Sequence, residues 1–296
     1  MTLARHSQMT ADAARRPALW RLLMGIATIF ATLLIWVLLL LAARAVFTGQ
    51  GFAAAAAEIL AIGSGGPAQT ILFLLVIAGL GVGTLIAAAV WQKRSPASLI
   101  GPPAITLRHA TIAALVSFLF LGGLAWATLP LAGPVQPNLP LSIWLIWLLP
   151  ALVALILQTG SEELLFRGYL QSQLAARTGN QTLAILLPSF LFGFAHYVPT
   201  FPVLAALSYV LLATLFGILA ADLTARTGSI GAAWGFHLSN NALGVLILSP
   251  DPSFDSLSLW RASTQIGPEL IASPLATLEI LILVANWYLI RRVLHV

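Results

Sequence analysis

The sequence has no cysteine, a single lysine (Lys93) and very little charge: 14 basic and 9 acidic side chains among 296 residues, 8% in all. Ordinary soluble domains carry about 25% charged residues, so this chain cannot coat a globule that faces water on all sides. Disorder is excluded as well, because disordered chains are poor in apolar residues and rich in charge, whereas here 59% of residues are apolar and mean hydropathy is +0.97. Without cysteine there is neither a disulfide framework nor a thiolate metal site. The net charge of +5 does not indicate nucleic acid, because the basic residues are scattered along the chain rather than gathered in one patch. What is left is a polytopic membrane protein, in which each charge needs an explanation.

Eight segments have roughly the 20 apolar residues that a membrane crossing requires. They lie near Ala18–Phe47, Thr70–Trp91, Ile105–Leu129, Ser142–Arg177, Gln181–His196 (continuing to about Pro199), Phe201–Leu223, Ile230–Leu248 and Ile271–Ile290. No period-2 alternation suggests strands. The expected class is all-α with about eight transmembrane helices. The N-terminal stretch with Arg5, Arg15, Arg16 and Arg21 resembles a signal peptide, but its apolar run exceeds the ~7–15 residues of a signal core, so it reads as a retained first helix.

The connections sort by charge. Basic ones contain Lys93, Arg94 and Arg108, then Arg177, then Arg226 with Asp222, and finally Arg291 and Arg292. The intervening loops lack that bias: one has Glu58, two are uncharged, and the last has Asp251, Asp255, Arg261 and Glu269. This alternation predicts cytoplasmic N- and C-termini. Trp20, Trp91 and Trp287 fall at cytoplasmic ends and Trp126, Trp144 and Trp147 at the opposite ends, as in an aromatic belt. Glu58, Asp251 and Asp255 read as solvated loop charges, and His109 as an interfacial residue. Glu279 in the eighth segment reads as facing the bundle interior or a wet crevice.

Segment four breaks the pattern with Glu162-Glu163-Leu164-Leu165-Phe166-Arg167. Carboxylates in a membrane helix cost several kcal/mol unless paired, protonated or wetted. Glu163 and Arg167 share a helix face and can pair, which leaves Glu162 free as a base. The alternative is that both acids sit in water on the amphipathic tail of a long helix. Segment five adds Phe192 and His196; segment seven adds His237 and Asn241, four apart on one face. Glu162 and His196 each lie 17 residues from the expected turn at Gly179, about 25 Å at 1.5 Å per residue. His237 and Asn241 lie roughly 13 and 20 Å from Gly228 by the same rise. Three helices can therefore bring a carboxylate, two imidazoles and a carboxamide together.

Such a set suits hydrolysis. A Glu and a His can activate a water, and a His and an Asn can hydrogen-bond an oxyanion. Alternatively Glu162, His196 and His237 could ligate zinc with one open position. Neither HExxH nor GxSxG occurs.

Glu162-Glu163-x-x-x-Arg167, Phe192-x-x-x-His196 and His237-x-x-x-Asn241 together resemble the three motifs of the CPBP intramembrane protease family, which comprises the type II CAAX prenyl endopeptidases and the bacteriocin-processing or immunity proteins of the ABI group. The resemblance covers residues 142–248. It implies an all-α membrane fold and peptide-bond hydrolysis within the bilayer. By position, Glu162 and His196 would activate water, His237 and Asn241 would stabilise the oxyanion, and Glu163, Arg167 and Phe192 would support them. A metal-free site is favoured over a metalloprotease-like one using zinc. The organisation expected is residues 1–141 as three leading helices, 142–248 as the catalytic core, and 249–296 as an extracytoplasmic loop and last helix. The expected partners are a hydrophobic, lipidated or membrane-anchored peptide and the lipid bilayer, with no nucleic acid. The expected location is a bacterial cytoplasmic membrane. The rival readings are a non-catalytic scaffold or immunity protein and, behind it, a proton-coupled transporter.

Overall fold

The computed structural model describes residues 4–60, 65–128, 135–249, 255–262 and 275–296. Asp251, Glu269, the expected end of segment three at Leu129 and the expected start of segment eight at Ile271 lie outside them.

A chain surrounded by lipid must satisfy its backbone hydrogen bonds internally, which favours helices. The helices are α1 (Ala4–Ala14), α2 (Leu19–Thr48), α3 (Phe52–Leu60), α4 (Pro67–Ala87), α5 (Pro96–Ile100), α6 (Pro103–Thr128), α7 (Leu141–Glu163), α8 (Ser172–Thr178), α9 (Gln181–Phe194), α10 (Val203–Thr227), α11 (Gly231–Ala242) and α12 (Leu275–Leu294). Wider π turns extend α4 (Ala88–Gln92), join α7 to α8 (Leu164–Gln171) and extend α11 (Leu243–Ile247).

Among the described residues five stretches are long and apolar enough to cross a membrane: Leu19–Thr48, Pro67–Gln92, Pro103–Thr128, Leu141–Thr178 and Val203–Thr227. The expected all-α membrane architecture is therefore present. Three of the eight expected spans differ. The apolar helix α9 has 14 residues, α11 has 12 before its π turn, and α12 carries Glu279, Arg291 and Arg292. Glu279 is half-buried on α12.

The ends of these helices follow from local sequence. Gly179 closes α8 at φ +64°, a left-handed conformation that suits glycine, and the Asn180 side chain accepts from Leu183 N at 3.0 Å to open α9. The expected continuation of α9 through His196 to Pro199 does not occur. The helix stops at Phe194, and His196 lies in a tight turn closed by His196 N donating to Gly193 O at 2.9 Å. Pro199 and Pro202 lie just downstream, and a proline disfavours helical geometry in the residue before it.

Strands are not expected from the sequence, yet Gln136–Pro137, Leu248–Ser249 and Trp260–Arg261 form a minimal three-stranded sheet, the last strand in the middle. It lies between helices, where loop backbone still needs partners. Asp255 nearby is not a solvated loop charge: it is buried and pairs with Arg261 at 2.5 Å. Glu58 is paired as well, with Arg44 at 2.9 Å, and that hydrogen bond, aided by one from Gln50, holds its carboxyl below the usual range.

In the bundle, α4 packs between α2 and α7, α9 lies along α10, α12 packs against α6 and α10, and α11 touches α6, α7 and α10. One apolar core gathers Leu22, Ile29, Tyr169, Phe192, Phe216 and Phe236 around the π turn of α7. The short α1 packs against α8, α10 and α5. Arg94 fastens it, donating to Met9 O (3.4 Å), Ser172 Oγ (2.8 Å) and Ser98 O (2.7 Å). Burial pulls the Arg94 guanidinium down to about 10, against the opposing charge of Asp12. Arg94 is thus a buried structural residue as well as a basic loop charge. His109, expected at the interface, is instead buried with Nδ1 3.2 Å from Ser229 Oγ.

The helix α11 approaches α6 closely because Gly231 and Gly235, one turn apart, face its backbone. A Cβ at Gly235 would overlap the Ala110 carbonyl and come within 2.7 Å of Ala114 N, and one at Gly231 would overlap the Thr106 carbonyl. This is the small-xxx-small packing common between membrane helices. A Cβ at Gly123 on α6 would meet nothing within 4 Å among the described residues. Gly235→Ala is therefore expected to cost about 1–3 kcal/mol by overpacking, and Gly123→Ala nothing comparable. Thermal unfolding of the two variants in detergent checks the contrast.

Candidate active site

Glu162 and Glu163 end α7, just before the backbone widens into the π turn that carries Arg167. Both acids are buried, which excludes the solvated amphipathic tail: Glu163 is 0% exposed and Glu162 7%. The wide turn keeps Arg167 beneath Glu163, and Gly168 allows that turn to approach α5, since a Cβ there would lie 2.8 Å from Leu99 O. π turns recur at functional sites because they redirect side chains at the cost of regular hydrogen bonding.

Glu163 Oε1 is shared by two donors. Arg167 Nη1 donates to it at 3.1 Å and His237 Nδ1 approaches it at 2.8 Å. A carboxylate only accepts, so this contact assigns the proton to Nδ1. The ring then presents Nε2 to Glu162, whose Oε2 lies 3.5 Å away. Among the described residues Glu162 Oε2 has no hydrogen-bond donor, so it is placed to take a proton from a water or substrate.

The guanidinium of Arg167 is buried, donates from Nη2 to Gly217 O at 3.3 Å and lies over the Phe192 ring at 4.6 Å. Phe192 is the hub of the apolar wall. It meets His237 edge-on at 5.9 Å between ring centres, His196 at 4.6 Å and Phe216 at 6.0 Å. His196 is half-exposed, its Nδ1 2.7 Å from Phe192 O and its ring 6.4 Å from Tyr209. Asn241 donates from Nδ2 to Gln158 Oε1 at 3.1 Å.

Of the seven residues named from sequence, Glu162, Glu163, Arg167 and His237 make a continuous polar chain, and His196 joins them through the Phe192 ring. Asn241 stands apart, meeting Gln158 one turn before Glu162 on α7. The sequence does not by itself assign Gln158, Phe216 or Tyr209 to the site. Gln158 is marked as the amide that ends an apolar run one turn before Glu162. Phe216 and Tyr209 carry no such mark, because aromatics are ordinary in membrane helices.

The zinc alternative fares less well. Among the described residues no three His, Cys, Asp or Glu side chains gather closely enough to hold a metal ion. Glu162, His196 and His237 therefore do not fit a three-ligand zinc site, and the metalloprotease-like reading is not supported.

Comparison with known proteins agrees with the motifs. Residues 140–243 match the family model described as type II CAAX prenyl endopeptidase Rce1-like. Over that stretch this supports the resemblance to the CPBP family. Over 147 residues the chain is 36% identical to the uncharacterized protein YyaK of Bacillus subtilis (strain 168), a match covering 44% of this chain and 48% of that one. The chain thus spans about half the length of the curated relative it matches. No solved structure matches.

Removing one partner of a buried ion pair leaves the other charge uncompensated and costs about 3–5 kcal/mol. Arg167→Ala is expected to lose stability on this scale, because it strands Glu163. Adding Glu163→Gln to Arg167→Ala should recover part of the loss. Thermal or denaturant unfolding of the three proteins in detergent measures both effects.

Proposed function

We propose that this chain is a CPBP-type intramembrane endopeptidase that hydrolyses a peptide bond of a hydrophobic, lipidated or membrane-anchored substrate. The observation that carries the reading is the buried array Arg167–Glu163–His237–Glu162, with His237 2.8 Å from one carboxylate and 3.5 Å from the other. Such an array is costly in an apolar bundle and has a direct use in hydrolysis. Residues 142–248 form the catalytic core, with 1–141 and 249–296 as its membrane surroundings.

In the mechanism, Glu162 accepts a proton from a water that His196 helps to orient. The resulting hydroxide adds to the carbonyl carbon of the scissile bond, and the electron pair of the C=O bond moves to oxygen. His237 Nε2–H and Asn241 Nδ2–H donate hydrogen bonds to that oxyanion. The proton that Glu162 takes from water passes across the 3.5 Å to His237 Nε2, so the ring carries both protons while the oxyanion exists and returns that proton to Glu162 as the intermediate collapses. Collapse of the tetrahedral intermediate restores the C=O bond and breaks the C–N bond, and Glu162 passes its proton to the leaving amine. Arg167 and Phe192 hold Glu163 and the two imidazoles in place. The same reading puts both termini on the cytoplasmic side of a bacterial cytoplasmic membrane.

The test is cleavage of an internally quenched peptide with a prenylated cysteine near its C-terminus, or of a quenched transmembrane peptide, by purified protein in detergent. Glu162→Ala, His196→Ala and His237→Ala are each expected to abolish turnover while the thermal transition of the protein persists. Full activity of Glu162→Ala would contradict the mechanism. Biological function that survives all three substitutions would favour a non-catalytic scaffold or immunity role.

A further inference from the structure

Two of the contacts between α7 and α11 form a ladder. His237 faces Glu162, and one turn along, Asn241 donates to Gln158. Gln158 and Glu162 are four residues apart on α7, while His237 and Asn241 are four apart on α11, in the opposite order. Residues four apart share a helix face. The Gln158–Asn241 rung therefore lies on the same seam between α7 and α11 as the Glu162–His237 rung.

Gln158 is 4% exposed at the end of the apolar run of α7, and a buried amide is costly unless it is hydrogen-bonded. Its contact decides something that packing alone does not. The last torsion of an asparagine is broad and two-fold, so its C=O and NH₂ can exchange places with little change in shape. Only the NH₂ end can donate to an oxyanion; the C=O end would repel it. The acceptor that lies beside Nδ2, Gln158 Oε1, breaks that symmetry. One Nδ2 hydrogen is committed to Gln158 Oε1 at 3.1 Å, while Oδ1 faces the Nδ2 of exposed Asn240 at a long 3.5 Å. The second Nδ2 hydrogen is left for substrate.

We propose that Gln158 is a positioning residue: its side-chain carbonyl fixes the carboxamide of Asn241 with the NH₂ end toward the reacting carbonyl. This rests on the hydrolytic reading of the site, in which Asn241 donates to the oxyanion. In this role Gln158 acts through Asn241.

A double-mutant cycle with a separate spectroscopic arm tests it. Gln158→Met keeps the side-chain length and removes the acceptor. With the quenched prenylated peptide, Gln158→Met is expected to lower kcat about 10-fold with KM within about twofold, a fraction of the 10²–10³-fold loss typical of deleting an oxyanion donor. In an Asn241→Ala background it should have no further effect, because the group it positions is gone. An equal loss in both backgrounds, or an unchanged kcat in Gln158→Met, overturns the proposal. The second arm does not depend on activity. In protein labelled with ¹⁵N-asparagine, the side-chain NH₂ signal of Asn241 should shift and exchange with solvent faster in Gln158→Met, and recover in Gln158→Glu, which restores an acceptor. An unchanged signal overturns the proposal even if the chain proves not to be a protease. A shifted signal without any wild-type cleavage would instead contradict the hydrolytic reading.

Discussion

The structure depends on one buried carboxylate, that of Glu163. With no exposure to water it must be compensated from within the protein, and two cations or potential cations converge on the same oxygen. Arg167 arrives from its own helix across the π turn, and His237 arrives from α11. That requirement ties α7 to α11, and through the Arg167 contact with Gly217 O it also ties α7 to α10. A buried ion pair is a weak source of net stability compared with apolar packing of similar volume. What the pair supplies is a direction: with Nδ1 of His237 committed, its other ring nitrogen must point at Glu162. The orientation of the imidazole follows from a carboxylate that can only accept.

The apolar parts are arranged to permit this. Gly231 and Gly235 let α11 lie directly on the α6 backbone, and Gly81 lets Ser161 of α7 press against α4, where Ser161 Oγ donates to Ala78 O at 3.2 Å. Phe192, Phe216 and Phe236 fill the space between α9, α10 and α11 and limit where the imidazoles can lie. At one end of the bundle Trp20 and Trp91 meet edge-on at 6.1 Å, Arg21 donates to Trp91 O, and Trp287 donates to Asp222. Trp144 donates to Leu246 O, between elements that the sequence assigns to the opposite end. These tryptophans thus anchor helices to one another.

Much of the site is legible in the chain because charge is scarce. Glu162, Glu163 and Arg167 stand out against an apolar run, and their four-residue spacing yields the Glu163–Arg167 pair directly. His237 and Asn241 stand out for the same reason. Other features leave no trace in periodicity. The π turn after Glu163 has an ordinary helical composition, and its width depends on tertiary contacts. The end of α9 at Phe194 is hidden because an apolar run does not reveal where a helix stops, although the prolines that follow are visible. Arg94 looks like a loop cation and proves to be a buried clamp on α1, a role decided by which helix docks against it. The partnership between His237 and Glu163, as opposed to Glu162 alone, cannot be derived from spacing, since it depends on the rotation of α11 about its axis.

The central claim is that Glu163 fixes the tautomer and direction of His237. The most direct measurement is the ¹⁵N spectrum of the histidine rings in labelled protein, with His237 assigned by comparison with His237→Asn. The account predicts a protonated, hydrogen-bonded Nδ1 on His237 in the resting protein. A His237 ring with a bare Nδ1 and its proton on Nε2 would contradict it.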